Sequence, residues 1–191
     1  MSASVRPLPK QIQGGEWSQL TTDLIVSIVD AIHDRCWPIY LCGEAGRGKT
    51  FAMATVYRHW PVNPAVWIDV QPWLRRLMSA RVQGTVSYQT ACGQRAEVTE
   101  SQMLDQVQSA RLLCVDDCGV RTDSEAQQSS LLELLNMRGN RPTIITGNHD
   151  PENLHKIFDS RIASRLLAGR ALCLQGPDKR LGKSPILEID V

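Results

Sequence analysis

The stretch Gly43-Glu44-Ala45-Gly46-Arg47-Gly48-Lys49-Thr50 constrains this chain more than any other. It satisfies the spacing G-x-x-x-x-G-K-[ST] at every defined position. Phosphate chemistry demands that spacing. Glycines reach backbone conformations closed to other residues, so successive N–H groups can converge on one anion. A helix beginning at the lysine adds the partial positive charge of its N-terminus. In such a loop Lys49 would bridge the β- and γ-phosphates of ATP, and Thr50 would offer a hydroxyl to Mg²⁺. A Gly-rich turn that binds nothing uses the same residue types, so context decides. A strand must run into the loop and a helix must leave it. Ile39-Tyr40-Leu41-Cys42, placed just after Pro38, is an apolar run suited to a buried strand, and residues 49–60 predict a helix. ATP with Mg²⁺ is therefore the expected ligand.

The rest of the chain alternates in the same way. Leu24, Ile25, Ile28, Val29 and Ile32 form a helical stripe with Thr21 or Thr22 as its N-cap. Residues 65–70 predict a second strand, followed by a helix carrying Trp73, Leu74, Leu77 and Met78. Residues 83–98 are polar and aperiodic and read as a surface excursion, and 101–109 as a short helix. Leu112–Val115 predicts a third strand, 124–137 a helix, 142–146 a fourth strand, 152–167 a mostly helical stretch and 171–174 a fifth strand. Short strands alternating with helices argue for an α/β fold, here a P-loop NTPase with a five-stranded parallel sheet flanked by helices. A length of 191 residues suits one domain. Residues 1–16 read as an arm or linker, 17–181 as the core, and 182–191 as a tail that adds an edge strand or packs.

Asp116 and Asp117 follow the third strand directly. Ligands of open α/β sheets bind at the carboxyl ends of the strands, so Asp116 is placed to complete a Mg²⁺ shell and Asp117 to polarise an attacking water. An Asp-capped turn is the plainer reading of the same residues. After the fourth strand comes Gly147-Asn148. The amide of Asn148 could position a water beside the γ-phosphate, although Gly-Asn by itself signals a turn. Arg161 and Arg165 are four apart and share a helix face. They are either a solvated face pairing locally with Asp159 or an arginine finger directed at a neighbouring subunit.

Composition narrows the classes. Lys and Arg number 21 against 20 Asp and Glu, a formal net charge of +1, so overall charge gives no argument for nucleic acid. No apolar run reaches the roughly 18–20 residues of a membrane span. Cys36, Cys42, Cys92, Cys114, Cys118 and Cys173 follow no signal peptide, and several fall within strand-like runs. They are expected to be reduced core thiols of a cytosolic protein. His33/Cys36 and Cys114/Cys118 lack the second ligand pair of a zinc site.

The ordered set Gly43–Thr50, Asp116-Asp117, Asn148 and Arg161/Arg165 resembles the AAA+ ATPases. Leu112-Leu-Cys-Val-Asp-Asp-Cys-Gly119, Pro142-Thr-Ile-Ile-Thr-Gly-Asn148, and Arg161-Ile-Ala-Ser-Arg165-Leu followed by Gly176-Pro-Asp-Lys-Arg180 are similar to segments of the DnaC-type helicase loaders and the IstB-type transposition ATPases. The likeness covers residues 17–181. It implies that Asn148 is a sensor, that Arg165 is the first finger candidate and Arg161 the second, and that subunits form a homo-oligomer with ATP sandwiched between neighbours. It also implies a replicative helicase or a transposase as partner, with single-stranded or duplex DNA in a basic channel. Arg75, Arg76 and Arg81 are the residues to test for DNA contact, against the plain alternative of a solvated helix face. The pattern departs from the family in three ways. Many AAA+ proteins carry glutamate at the position of Asp117, which implies slow turnover. A helical lid with its second sensor arginine is not expected, and Arg180 is a weak substitute. Loader families often carry a helicase-binding domain before the core, where this chain has a short arm. A small-molecule kinase built on the same loop is the remaining alternative from another class.

Overall fold

The computed structural model describes residues 15–89, 95–119 and 124–178. The arm before Gly15, Cys92, Arg180 and the predicted tail at 182–191 lie outside the described residues. Thirteen labelled elements follow one another in the chain: α1 (Thr22–His33), β1 (Ile39–Cys42), α2 (Lys49–His59), β2 (Ala65–Asp69), α3 (Val70–Gln83), β3 (Val86–Gln89), β4 (Arg95–Val98), α4 (Glu100–Ser109), β5 (Leu112–Cys118), α5 (Glu125–Arg138), β6 (Thr143–Gly147), α6 (Ser160–Leu166) and β7 (Arg170–Cys173).

Five of the strands form one sheet in the order β2-β5-β6-β1-β7. Every neighbouring pair is parallel. Strand side chains alternate between faces, and the burial follows that period. Tyr40, Cys42, Leu113, Val115 and Ile145 join a core with α3, α4, α5 and α6, which includes Trp73, Leu77, Val107, Leu131, Leu134 and Leu166. Ile39, Leu41, Leu112, Cys114 and Ile144 join a second core with α1 and α2, which includes Ile28, Ala31, Ala52, Met53 and Val56. With helices on both faces the strands need no polar side, which is why β1 reads as an unbroken apolar run.

Two stretches differ from the sequence expectation. The supposed surface excursion is the end of α3 followed by an antiparallel hairpin, with Val86 opposite Val98. Both valines pack on the larger core and anchor an otherwise polar ribbon. The helix expected over 152–167 is two pieces, a 3₁₀ segment Pro151–Lys156 and then α6. Asp159 starts the second piece, its carboxylate accepting from the N–H groups of Arg161 and Ile162.

Arg138 ties one end of the molecule together. It is 2% exposed and donates to the carbonyls of Val107, Gln108, Ala110 and Pro142 and to Thr143 Oγ1. These include carbonyls left open at the end of α4. Burial lowers its pKa to about 10, so it remains charged at neutral pH. No helix among the described residues is long and apolar enough to cross a membrane.

Candidate nucleotide site

The parallel sheet delivers the carboxyl ends of all five strands to one edge, and the predicted loop, the two aspartates and Asn148 gather there. β1 runs into Gly43, β5 carries Asp116 and Asp117, and β6 ends at Gly147 beside Asn148. Strand order reverses beside β1, where the chain leaves for the far strand β2 and later returns through β5 and β6. That reversal opens the crevice in which such sheets hold ligands.

The loop has the backbone its glycines permit. Gly43, Gly46 and Gly48 have φ of +130°, +80° and +92°. Gly48 is the N-cap of α2, and Ala52 N–H donates back to its carbonyl. Lys49 is buried, with Nζ donating to the carbonyls of Gly43 and Glu44 at 2.7 Å each. Glu44 and Arg47 pair across the outside of the loop.

Below the loop, Thr50 Oγ1 donates to Asp116 Oδ1 at 3.0 Å. Thr146 Oγ1 donates to the same carboxylate oxygen at 2.5 Å. The Thr146 hydroxyl also accepts from the Asp117 N–H at 3.0 Å, so one side chain positions both aspartates. Asp116 is 6% exposed, and its pKa is pushed up to about 6. Burial is the main cause, opposed by the two hydroxyls and reinforced by the charges of Asp117 and Asp69. A cation beside such a buried carboxylate would favour its charged form and offset the cost of desolvation. The Thr50 hydroxyl and Asp116 are hard oxygen donors on adjacent elements and fit Mg²⁺, which they would hold together.

Asp117 is treated differently. The β5–β6 register shifts between Val115 and Cys118, and Asp117 has φ of +58°. This bulge leaves its carboxylate exposed while Asp116 stays buried. Asn148 is partly buried at the mouth of the crevice. The residue before it is more than a turn former. A Cβ on Gly147 would run into the ring and hydroxyl of Tyr40, which donates to the His149 carbonyl at 2.8 Å. Burial raises the Tyr40 phenol above its ordinary pKa.

The arginines sit elsewhere. Arg161 is exposed and pairs with Asp159 at 2.7 Å, the local pairing of the plainer reading. Arg165 lines a small cavity with Pro38, Arg138 and Thr143, at the amino ends of β1 and β6. That is the edge opposite the loop. Arg75 and Arg76 are exposed on α3. Arg81 is engaged by Glu100 and Glu133 at 2.5 and 2.6 Å and by Ser130, bracing α3 against α4 and α5.

One expectation is overturned. Cys42 and Cys173 form a disulfide, whereas Cys36, Cys114 and Cys118 are thiols. The two lie 131 residues apart but stand directly opposite each other in the parallel β1–β7 pair, with Cα atoms 4.4 Å apart. Only strand register brings them together. Thr146 and this disulfide are the features of the site that motif reasoning missed. No local signal marks Thr146, because its link to the aspartates depends on β6 lying beside β5.

No protein-family model matches the chain. No curated protein sequence matches it either. Solved structures do match. The chain is similar to DnaI, with a TM-score of 0.66 at 21% identity over 91% of this chain and 94% of that one. It is similar to the DnaC helicase loader, with a TM-score of 0.64 at 18% identity over 87% and 95%. It is also similar to AMPPCP-bound DnaA from Aquifex aeolicus, with a TM-score of 0.66 at 14% identity over 84% of this chain. It spans 50% of that DnaA structure's length. Sheet order, loop and strand-end carboxylates together make this the fold of an AAA+ ATPase core, of the kind shared by the DnaC-type loaders and DnaA.

Proposed function

We propose that the protein binds and hydrolyses ATP with Mg²⁺ and uses the cycle to load a replicative helicase onto single-stranded DNA. The observation that carries the nucleotide reading is the run of hydroxyls and carboxylate Thr50–Asp116–Thr146 placed directly under the Gly43–Thr50 loop. Lys49 and the loop amides would hold the phosphates, and a bound Mg²⁺ would supply charge neutralisation on the phosphate oxygens. The exposed Asp117 carboxylate would accept a proton from the attacking water, with Asn148 orienting that water. Aspartate reaches one methylene less far than glutamate, in keeping with slow turnover.

Arg165 cannot serve its own loop, because the length of β1 lies between them, about 13 Å at the usual rise per residue. In this reading it acts in trans on the next subunit of a homo-oligomer, with Arg161 one turn away on the exposed side of α6 as the second candidate. The similarity to DnaI and the DnaC helicase loader, each matched over nearly its whole length, favours loading over other AAA+ work. DNA contact falls to Arg75 and Arg76, because Arg81 is committed to its carboxylate partners.

The nucleotide reading is tested by Lys49→Ala with Mg²⁺ present. Affinity for ATP should fall by at least tenfold, and undiminished binding refutes it. The loading reading is tested by association with the cognate replicative helicase in ATP and by stimulation of ATPase activity by single strands. Filaments formed only on duplex DNA would instead assign the IstB-like role of recruiting a transposase. Phosphoryl transfer to a small molecule would assign a kinase.

A further inference from the structure

The segment leaving β7 runs along the phosphate loop. Leu174 N–H donates to the Cys42 carbonyl at 2.7 Å. The Leu174 carbonyl lies so close to Gly43 that a Cβ there would collide with it. Further on, the carboxylate of Asp178 occupies the space that a Cβ on Gly46 would take. Gly46 is among the residues whose left-handed backbone turns loop amides toward an anion. A carboxylate and a phosphate offer such amides the same guest, an anionic oxygen. The disulfide Cys42–Cys173 joins β1 to β7 at the root of this segment, directly before the loop begins. Beyond that bond, β7 is an edge strand that among the described residues pairs only with β1.

We propose that Cys42–Cys173 is a thiol–disulfide exchange site whose oxidised form holds Asp178 against Gly46 as an internal competitor of the nucleotide phosphates. A dithiol reductant then opens the loop. The proposal rests on the phosphate-loop reading and adds regulation to it. Cys173 is exposed and Cys42 buried, which directs attack to the Cys173 sulfur. A thiolate of the reductant attacks Cys173 Sγ, the S–S bond breaks, and Cys42 leaves as a thiolate that takes up a proton. The second thiolate of the reductant attacks the reductant's own sulfur in the mixed disulfide, which closes the oxidised reductant and releases Cys173. Two electrons and two protons pass from the dithiol to the protein. The segment then loses its covalent tie to β1 and is held at its root by the Leu174–Cys42 hydrogen bond and the packing of Leu174 on the second core, and an incoming triphosphate can displace Asp178.

The test is a titration of the full chain with a fluorescent ADP analogue and Mg²⁺, oxidised and after dithiothreitol. Oxidised wild type should bind at least about tenfold more weakly than reduced wild type, equivalent to about 1.4 kcal/mol. Asp178→Asn should bind in the oxidised state as tightly as reduced wild type, and Cys173→Ser should bind tightly with or without dithiothreitol. Equal affinity of oxidised and reduced wild type overturns the proposal, as does an Asp178→Asn variant that keeps the oxidised weakness. Lys49→Ala separates the two levels. If it abolishes binding while wild type ignores dithiothreitol, only the switch fails. If it binds like wild type, the underlying site fails.

Discussion

Replacing Asp116 by asparagine should stabilise the protein in the absence of nucleotide and metal. Folding raises this carboxyl from 3.8 to about 6, so the folded protein keeps a proton that the unfolded chain releases. The stability it contributes is therefore full below about pH 4 and is lost as the pH climbs through about 6. At ~1.4 kcal/mol per unit the loss is about 3 kcal/mol. Asparagine stays neutral throughout and keeps one carbonyl for the hydroxyls of Thr50 and Thr146. Its amide hydrogens lack a matched acceptor, which costs about 1 kcal/mol. The balance at pH 8 favours the variant by about 2 kcal/mol, or roughly 4–8 °C in Tm for a chain of this size. Near pH 4, where the wild-type carboxyl is protonated, the advantage should vanish or reverse. Urea unfolding in chelator at pH 4.5, 6 and 8 measures this, taking the difference between variant and wild type to cancel other titrating groups. With Mg²⁺ and ATP the order should invert, because only wild type gains ligand stabilisation. A difference that is flat with pH, or a variant less stable at pH 8, refutes the claim that Asp116 is held as a costly anion.

Two further substitutions probe the scaffold. Arg138→Met fills similar space but leaves the carbonyls of Val107, Gln108, Ala110 and Pro142 without their donor. It should cost on the order of 3–5 kcal/mol in urea unfolding while leaving nucleotide affinity at the remote loop within about twofold. Gly147→Ala should cost about 1–3 kcal/mol through collision with Tyr40. Adding Tyr40→Phe should recover part of that loss, visible as a non-additive double-mutant cycle in thermal melts, and strict additivity would rule the collision out.

What could be read before folding was whatever depends on neighbours in the chain. The phosphate loop is contiguous, and the strands and helices around it betray themselves through period and apolar runs, so fold class and the positions of Lys49, Thr50 and Asp116 were all accessible. Pairings that need the third dimension were hidden. Thr146 matters because β6 lies beside β5, and nothing local marks it as the shared partner of both aspartates. Cys42 and Cys173 look like two core thiols until register sets them side by side. Arg81 looks like a candidate for DNA until α4 and α5 bring Glu100 and Glu133 to it. The break before α6 was legible and overlooked, since Asp159 ahead of an apolar-periodic stretch is an N-cap signature.

The extra residue that β5 carries at its end separates two chemically identical neighbours. In a regular pleat the two would point to opposite faces of the sheet, both of them covered by helices. With it, one charge is governed by the protein's interior and the other by solvent. Residue 117 can therefore be lengthened, shortened or neutralised without repacking anything beneath the loop. If Asp117 serves the attacking water as proposed, the speed of hydrolysis would be adjustable separately from the grip on the nucleotide, and a slow timer could be made from the same frame as a fast motor.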